Sequence, residues 1–527
     1  MLAIETMLRA AGQRLYEWCR TDRWPFIVAL LVAAGVHYPV YAYMLRNMDS
    51  LHVGSLYVAD EWSFNPYWEV EQGRWGLRLM DWLRGGINLP PLSALLMLLF
   101  YVLAGLLLVR LFALRSRVAR FLIPMLVVCA PYVAEVETFH YCSAAYGLSF
   151  FLAVAAVYAA VCAPPRWGWA LGAVCLMFSL SMYQASLGVA AALCLMMLLL
   201  VVLRVPRAMG EILRCLGRMV AMGVAGCAAY YAVLKVFLKI YDASLFGSFA
   251  NGPKEILKGM PQGVVNAYRD FVGYFAQNNT IAQNYYGQRL AYLALAGVLL
   301  AVLVRWLAAI HYGRTVLLTV VLLALLPAAV NLTDILNAST RIELRMAGAL
   351  VLVAPFVVAL LEHAPHGTGY LHWPLVLGTL CGLVLLRGYI VQINNDAMVM
   401  LAQKNKIVNL ANRICLQLEQ NADYQAGAQV CILGEPQKGV YDDLSPLNDK
   451  ASDLAQFGLL SFDPTFNSRG WHSLYWEELG IQLNWCSDEE TRTLCASDTF
   501  QAMPIYPQDG CIQTIDGVVV VKVAEIR

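Results

Sequence analysis

Between Trp167 and Leu203 the chain runs without a single charged side chain. A membrane helix needs roughly 20 apolar residues, so this stretch is too long for one span and barely long enough for two. Tyr183-Gln184-Ala185-Ser186 divides it, because a buried amide is costly in lipid unless it lines a cavity. Comparable apolar runs recur as far as Val391. They predict eleven spans, near residues 25–45, 91–112, 119–134, 142–162, 168–183, 185–203, 216–238, 289–307, 315–332, 346–362 and 372–391. Composition agrees, with 60% of residues hydrophobic and 14% charged. Ordinary soluble domains are about a quarter charged, so a soluble enzyme and a disordered chain are both excluded. The formal net charge of +1 gives no reason to expect a nucleic-acid partner. The expected partner is a lipid bilayer.

Arginines set the expected sidedness. Arg110, Arg115, Arg117 and Arg120 share one short loop, and Arg204, Arg207, Arg214 and Arg218 share another. In an eleven-span chain both loops fall on the side of the N-terminus, which the positive-inside rule makes cytoplasmic. Residues 1–24 carry Arg9, Arg14, Arg20 and Arg23 interleaved with Leu2, Leu8, Leu15, Tyr16 and Trp18. They read as an amphipathic cytoplasmic lead-in rather than a cleaved signal peptide. The opposite side receives Asp49–Asn88, Glu135–His140, Tyr183–Ser186, Tyr241–Gln288, Asn331–Arg345 and everything after Gln392. Acidic residues and long loops concentrate there, and function is expected there.

Three segments result: the lead-in at 1–24, a transmembrane domain at 25–391 and an extracytoplasmic domain at 392–527. In the last, Ile407, Leu410, Ile414 and Leu418 mark a helix over Asn394–Gln420. Ala428–Gly434 and Gly517–Val523 read as strands, so a small α/β domain is expected. Its cysteines are Cys415, Cys431, Cys486, Cys495 and Cys511. Thiols outside the cytoplasm tend to pair, which makes Cys486–Cys495 the expected bridge.

No nucleotide-binding glycine loop, zinc-ligand spacing or serine elbow is present, and no metal site is expected. The apolar runs show no acid deep within them and no paired interrupted helices, which disfavours an ion-coupled transporter. The first external loop stands out. It reads Asp60-Glu61-Trp62, then Trp68-Glu69-Val70-Glu71-Gln72-Gly73-Arg74-Trp75. Adjacent carboxylates at a low-dielectric boundary raise one another's pKa, which suits a general base acting on a hydroxyl. Tryptophan faces carry sugar rings, and Trp68 and Trp75 are candidates for that or for interfacial anchors.

An acidic pair followed by Gly73-Arg74-Trp75 resembles the type II glucosyltransferase family of O-antigen serotype conversion, a branch of the GT-C membrane glycosyltransferases. Further pieces fall in the family's order: Pro131-Tyr132-Val133-Ala134-Glu135, Ser181-Met182-Tyr183-Gln184-Ala185, Tyr230-Tyr231, Thr340-Arg341 and Cys431-Ile432-Leu433-Gly434. The resemblance covers nearly the whole chain, and its specificity lies in the order of short motifs. It departs from the family at Glu61, where a second Asp is usual.

The resemblance implies an all-α polytopic GT-C fold in a bacterial inner membrane, with its active site at the external face. It implies transfer of a hexose, glucose in the family, from a polyprenyl-phosphate donor to a cell-surface glycan acceptor; a donor synthase and a flippase would act upstream. Asp60, Glu61 and Glu135 are the expected catalytic acids, with Asp60 favoured as base because it matches the family's first acid. Arg341 and Arg345 are expected to bind the donor phosphate, and Trp68, Arg74, Trp75, Tyr183 and Gln184 the substrates. The residues point to no particular cofactor, and the resemblance leaves open a divalent cation such as Mg or Mn. A non-enzymatic lipid or polysaccharide transporter, a protein O-glycosyltransferase and a polysaccharide polymerase or ligase remain alternatives.

Overall fold

The computed structural model describes residues 2–53, 68–85, 87, 89–164, 166–247, 252–277, 284–310, 312–339, 342–365, 372–421, 424–425, 427–434, 448–452, 457 and 463–526. The chain opens with α1 (Leu2–Ala42) and the short α2 (Met48–Val53), α3 (Trp68–Glu71) and α4 (Trp75–Leu83). There follow α5 (Pro90–Leu111), α6 (Arg117–Val128), α7 (Pro131–Glu137), α8 (Ser143–Cys162), α9 (Gly168–Met182), α10 (Ser186–Arg204) and α11 (Met209–Ile240). Then come α12 (Pro253–Ala276), α13 (Gln288–Ile310), α14 (Gly313–Val330), α15 (Leu332–Leu336), α16 (Val353–His363) and α17 (Trp373–Gln420).

Among the described residues eight helices are long and apolar enough to cross a membrane: α1 over Thr21–Ala42, α5, α8, α10, α11, α13, α14 and α17. The other three expected spans differ from straight full-length helices. The pair α6 and α7 is bent by 42° at a break, and α9 and Gly348–His363 are shorter apolar helices. At about 1.5 Å per residue, the 15 residues of α9 reach roughly 22 Å, less than a typical hydrocarbon core of about 30 Å.

The break between α6 and α7 has a local cause. Pro131 opens α7 and brings no N–H to continue the ladder of α6. The carbonyl of Val128, the last residue of α6, instead accepts from His37 Nε2 at 2.9 Å, and His37 Nδ1 faces Glu137 Oε2 at 2.7 Å. The sequence showed no acid deep in an apolar run, yet this His–Glu pair is fully enclosed between α1 and α7. The break between α9 and α10 is satisfied by serines. Ser149 Oγ on α8 meets the Ser179 carbonyl at 2.8 Å and Ser186 Oγ at 2.8 Å.

Two expected boundaries lie inside continuous helices. The lead-in and first span form the single helix α1, and the last span and the polar helix beyond it form α17, 48 residues and roughly 72 Å long. After α17 come β1 (Gln429–Leu433), α18 (Pro464–Leu474), a π-helical turn at Tyr475–Leu479, β2 (Asn484–Trp485), α19 (Asp488–Ala496), α20 (Asp498–Ala502), β3 (Ile512–Ile515) and β4 (Val518–Lys522). The sheet order is β2-β1-β4-β3, with β1 parallel to both neighbours and β3 antiparallel to β4. Both β1 and β4 fall on apolar runs, and a strand buried on both faces needs that pattern.

One side of the sheet shares a core with Ile407, Leu410, Ile414 and Leu418 of α17 and with Val40, Leu45 and Leu51 near the end of α1. Arg46, fully buried beside them, pairs with Glu477 and, at 3.0 Å, with Glu478. Lys404 Nζ reaches the other oxygen of Glu478 at 2.7 Å. The C-terminal unit is thereby clamped to the chain that leads out of the first span. Every described cysteine is a free thiol, so the expected Cys486–Cys495 bridge is absent. Cys486 follows β2 and meets Thr491 Oγ1 at 3.3 Å, while Cys495 faces the core beneath the sheet.

Candidate active site

Gln72-Gly73 forms a tight turn between α3 and α4, and three distant sequence motifs meet on it. Gln184 Nε2, at the α9–α10 break, donates to the Gln72 carbonyl at 2.5 Å and to Tyr230 Oη at 3.3 Å. Tyr230 Oη in turn donates to the Gly73 carbonyl at 2.9 Å. Gly73 has φ +77°, and a Cβ there would stand 2.7 Å from Tyr230 Oη and 2.8 Å from Gln184 Nε2. Only glycine fits both the backbone and the space.

The turn aims Arg74 into the bundle. Its Nη1 donates to Tyr146 Oη at 2.8 Å, and its guanidinium lies 5.3 Å from the ring centre of Tyr183. Tyr146 and Tyr183 stack at 4.1 Å with an interplanar angle of 16°. Arg74 keeps its charge. Burial opposes that charge, but Tyr146 and Tyr183 and their neighbours outweigh the cost and hold it above the ordinary arginine range. Tyr183 Oη is buried without a hydrogen-bond partner among the described residues.

Arg345, in the helical turn Leu344–Met346, is also near Tyr183, and both guanidiniums act electrostatically on that tyrosine. Its Nη1 lies 3.6 Å from Glu135 Oε1 and also pairs with Glu343, while its Nη2 is 4.0 Å from Asp49. Its guanidinium sits over Phe139 at 4.4 Å. Asp49 is brought close because Ser50 Oγ donates to the Thr138 carbonyl at 2.8 Å, which stitches α2 to the end of α7. The three carboxylates are not equivalent. The side chains of Asp49 and Glu343 are 41% and 43% exposed, whereas Glu135 is 6% exposed and its Oε2 has no partner among the described residues. Burial opposes the Arg345 charge, but Tyr183 and the carboxylates raise its pKa above the ordinary range.

A second charged cluster lies on α3 and α4. Arg78 Nη1 bridges Glu69 Oε2 at 3.2 Å and Asp81 Oδ2 at 3.1 Å, and Arg84 also pairs with Asp81. Burial, then the neighbouring Asp81 charge, pushes Glu69 up to about 8 against the pull of Arg78.

Of the residues expected from sequence, Asp60, Glu61 and Arg341 lie outside the described residues. Glu135 and Arg345 come together, and Arg74 and Tyr183 lie beside them. Gln184 turns its amide nitrogen to the Gly73 turn, next to Arg74. Trp75 is not a sugar platform: it is 2% exposed and stacked on Phe237 at 5.3 Å. Trp68 packs at 5.5 Å against Phe246, half-buried. Asp49, Glu343, Tyr146 and the Glu69–Asp81 pair were not among the expected site residues. Glu69 lay in the singled-out acidic run, but its burial was invisible there. Tyr146 carries no local signal, being one aromatic in an apolar helix. Among the described residues no group of three or more His, Cys, Asp or Glu side chains is arranged to hold a metal.

A polytopic helical bundle that encloses a carboxylate–guanidinium pair and an arginine–tyrosine stack is a membrane protein built around charge at the end of its spans. The family comparison names the class: the glucosyl transferase GtrII model matches residues 54–391, and the chain belongs to that family. The match takes in every motif that meets at the Gly73 turn and at Arg345, and it ends within α17. No curated protein and no solved structure matches the chain.

Proposed function

We propose that this membrane glucosyl transferase moves its sugar from a polyprenyl-phosphate carrier to a glycan on the external face of a bacterial plasma membrane, within a GT-C-like bundle whose C-terminal unit also lies outside. The observation that supports this best is the Glu135–Arg345 pair. Arg345 has one buried partner and two exposed ones, so an arriving phosphate can displace Asp49 and Glu343 while Glu135 keeps the guanidinium in place. A guanidinium matches phosphate geometry and stabilises the charge that develops on a departing prenyl phosphate. Tyr183 Oη, buried and unpartnered, is a donor for the same phosphate.

The acceptor hydroxyl oxygen attacks the anomeric carbon, the carbon–oxygen bond to phosphate breaks, and the phosphate leaves with the electron pair. The hydroxyl proton passes to a carboxylate. Glu135 Oε2 is the described group free to take it, and Asp60, favoured by sequence, is the competing base. A lipid-borne donor needs no nucleotide site outside the cell, which fits a chain without a nucleotide-binding loop. An upstream synthase would charge the carrier and a flippase would present it.

The test is mass spectrometry of cell-surface glycan from cells with and without the protein, repeated with Glu135→Gln, Asp60→Asn and Arg345→Lys. A hexose increment that appears with the wild type and is lost in Glu135→Gln supports the reading. An increment that persists in Glu135→Gln and vanishes in Asp60→Asn moves the base to Asp60. A glycan unchanged by the wild-type protein overturns the acceptor.

A further inference from the structure

We propose that a cavity at the far end of the bundle binds a phosphate group, carried by an anionic lipid of the surrounding bilayer. The cavity has a volume of about 740 Å³ and lies between the α5–α6 loop, the end of α10, α13, the end of α16 and the start of α17. Arg115, Arg204, His363 and His372 line it together with one acid, Glu362. The 16 residues from Gly348 to His363 separate it from the Arg345 cluster, about 24 Å at helical rise, so it is distinct from the site above.

The charges in this cavity are unbalanced. In the same region Arg110 and Arg120 are both neutralised by Asp22, at 2.8 Å for Arg110. Arg115 and Arg204 have no carboxylate at ion-pair distance among the described residues. The one lining acid is half engaged: Glu362 Oε1 accepts the backbone N–H groups of Arg115, at 2.5 Å, and of Ser116, at 3.1 Å, which covers the start of α6, while its Oε2 has no partner among the described residues. The cavity therefore sets two guanidiniums against one carboxylate and carries a net positive charge. Unpaired arginine forks beside a recess are a phosphate site, and basic pockets between membrane helices take lipid headgroups.

The walls favour a lipid as the source of that phosphate. Leu203, Leu375 and the indole of Trp306 complete the lining. Leu203 and Trp306 are packed into the bundle and close the inner wall, while the half-buried Leu375 offers an apolar surface to an acyl chain beside the arginines. A free phosphate would use the arginines and gain nothing from these residues.

The experiment uses the full-length protein purified in detergent. Its thermal unfolding is followed during titration with phosphatidylglycerol, phosphatidylcholine or inorganic phosphate. We expect phosphatidylglycerol to stabilise the wild type at lower concentration than phosphatidylcholine does. Each of Arg115→Gln and Arg204→Gln should weaken the phosphatidylglycerol effect about tenfold or more, the worth of one hydrogen bond to a charged group. Both arginines are exposed, so these single variants remove charge without removing packing, and Arg204→Lys should restore part of the binding. Equal stabilisation by inorganic phosphate would overturn the lipid assignment in favour of a free anion. Equal stabilisation by the two lipids, or a phosphatidylglycerol effect unchanged in both Gln variants, would overturn the site.

Discussion

Replacing Gly73 with alanine should be among the most damaging single-methyl additions to this protein. The backbone there has φ +77°, and an L-residue pays about 1–2 kcal/mol to enter the left-handed region. The new Cβ would stand 2.7 Å from Tyr230 Oη and 2.8 Å from Gln184 Nε2, so both polar groups must retreat. Their hydrogen bonds to the Gly73 and Gln72 carbonyls are then lost, at about 1 kcal/mol each. The total is about 3–4 kcal/mol, with Arg74 displaced from Tyr146 as a consequence. Denaturant-induced unfolding of the purified protein measures the stability loss, and sugar transfer measures the displacement. Gln184→Ala is the internal control, because it removes the amide bonds without the backbone cost and should lose about half as much. If Gly73→Ala unfolds within about 1 kcal/mol of wild type, the turn is not the junction described here.

Three further outcomes follow from the structure. Arg46→Met removes the buried cation shared by Glu477 and Glu478, leaving Glu478 only Lys404, and unfolding of the C-terminal unit should cost about 3–5 kcal/mol less; limited proteolysis reads this as faster cleavage after α17. Glu69 is raised from 4.5 to about 8, so its contribution to stability is fully present below pH 4.5 and is lost as pH rises through about 8. Thermal unfolding from pH 5 to 9 should therefore fall more steeply in the wild type than in Glu69→Gln, and parallel profiles would refute the shift. Reporter fusions at Ser116 and Gln392 should reveal opposite sides of the membrane, and same-side activity would refute the proposed topology.

The long helices were legible because apolar runs between arginines leave a chain few alternatives. The interruptions were harder to read. Pro131 was read only as part of a motif within a continuous span at 119–134, and nothing in the sequence linked the break there to His37, almost a hundred residues earlier. The split at Tyr183-Gln184 was expected on the cost of an amide in lipid, and the structure shows where that amide goes. Motif order brought Glu135, Arg74 and Tyr183 to attention, and Arg345 was named as a cation close to the Thr340-Arg341 motif. Their separate tasks depend on burial, which short motifs do not encode. Trp75 illustrates this, since an external loop tryptophan and a core tryptophan look the same in sequence. The free Cys486 and Cys495 make the same point, since nearness along the chain did not make them partners.

The central claim is that the Glu135–Arg345 pair is where sugar transfer occurs. Its most direct test is transfer by the purified protein from a synthetic polyprenyl-phosphate glucose to isolated acceptor glycan, with wild type and Glu135→Gln compared at saturating donor. Glutamine keeps the size of the side chain and removes its basicity and charge. The rate should fall by about 10² to 10⁴, the usual loss for a missing general base, while the protein unfolds at a similar temperature. A Glu135→Gln variant that transfers glucose within threefold of the wild-type rate would contradict it.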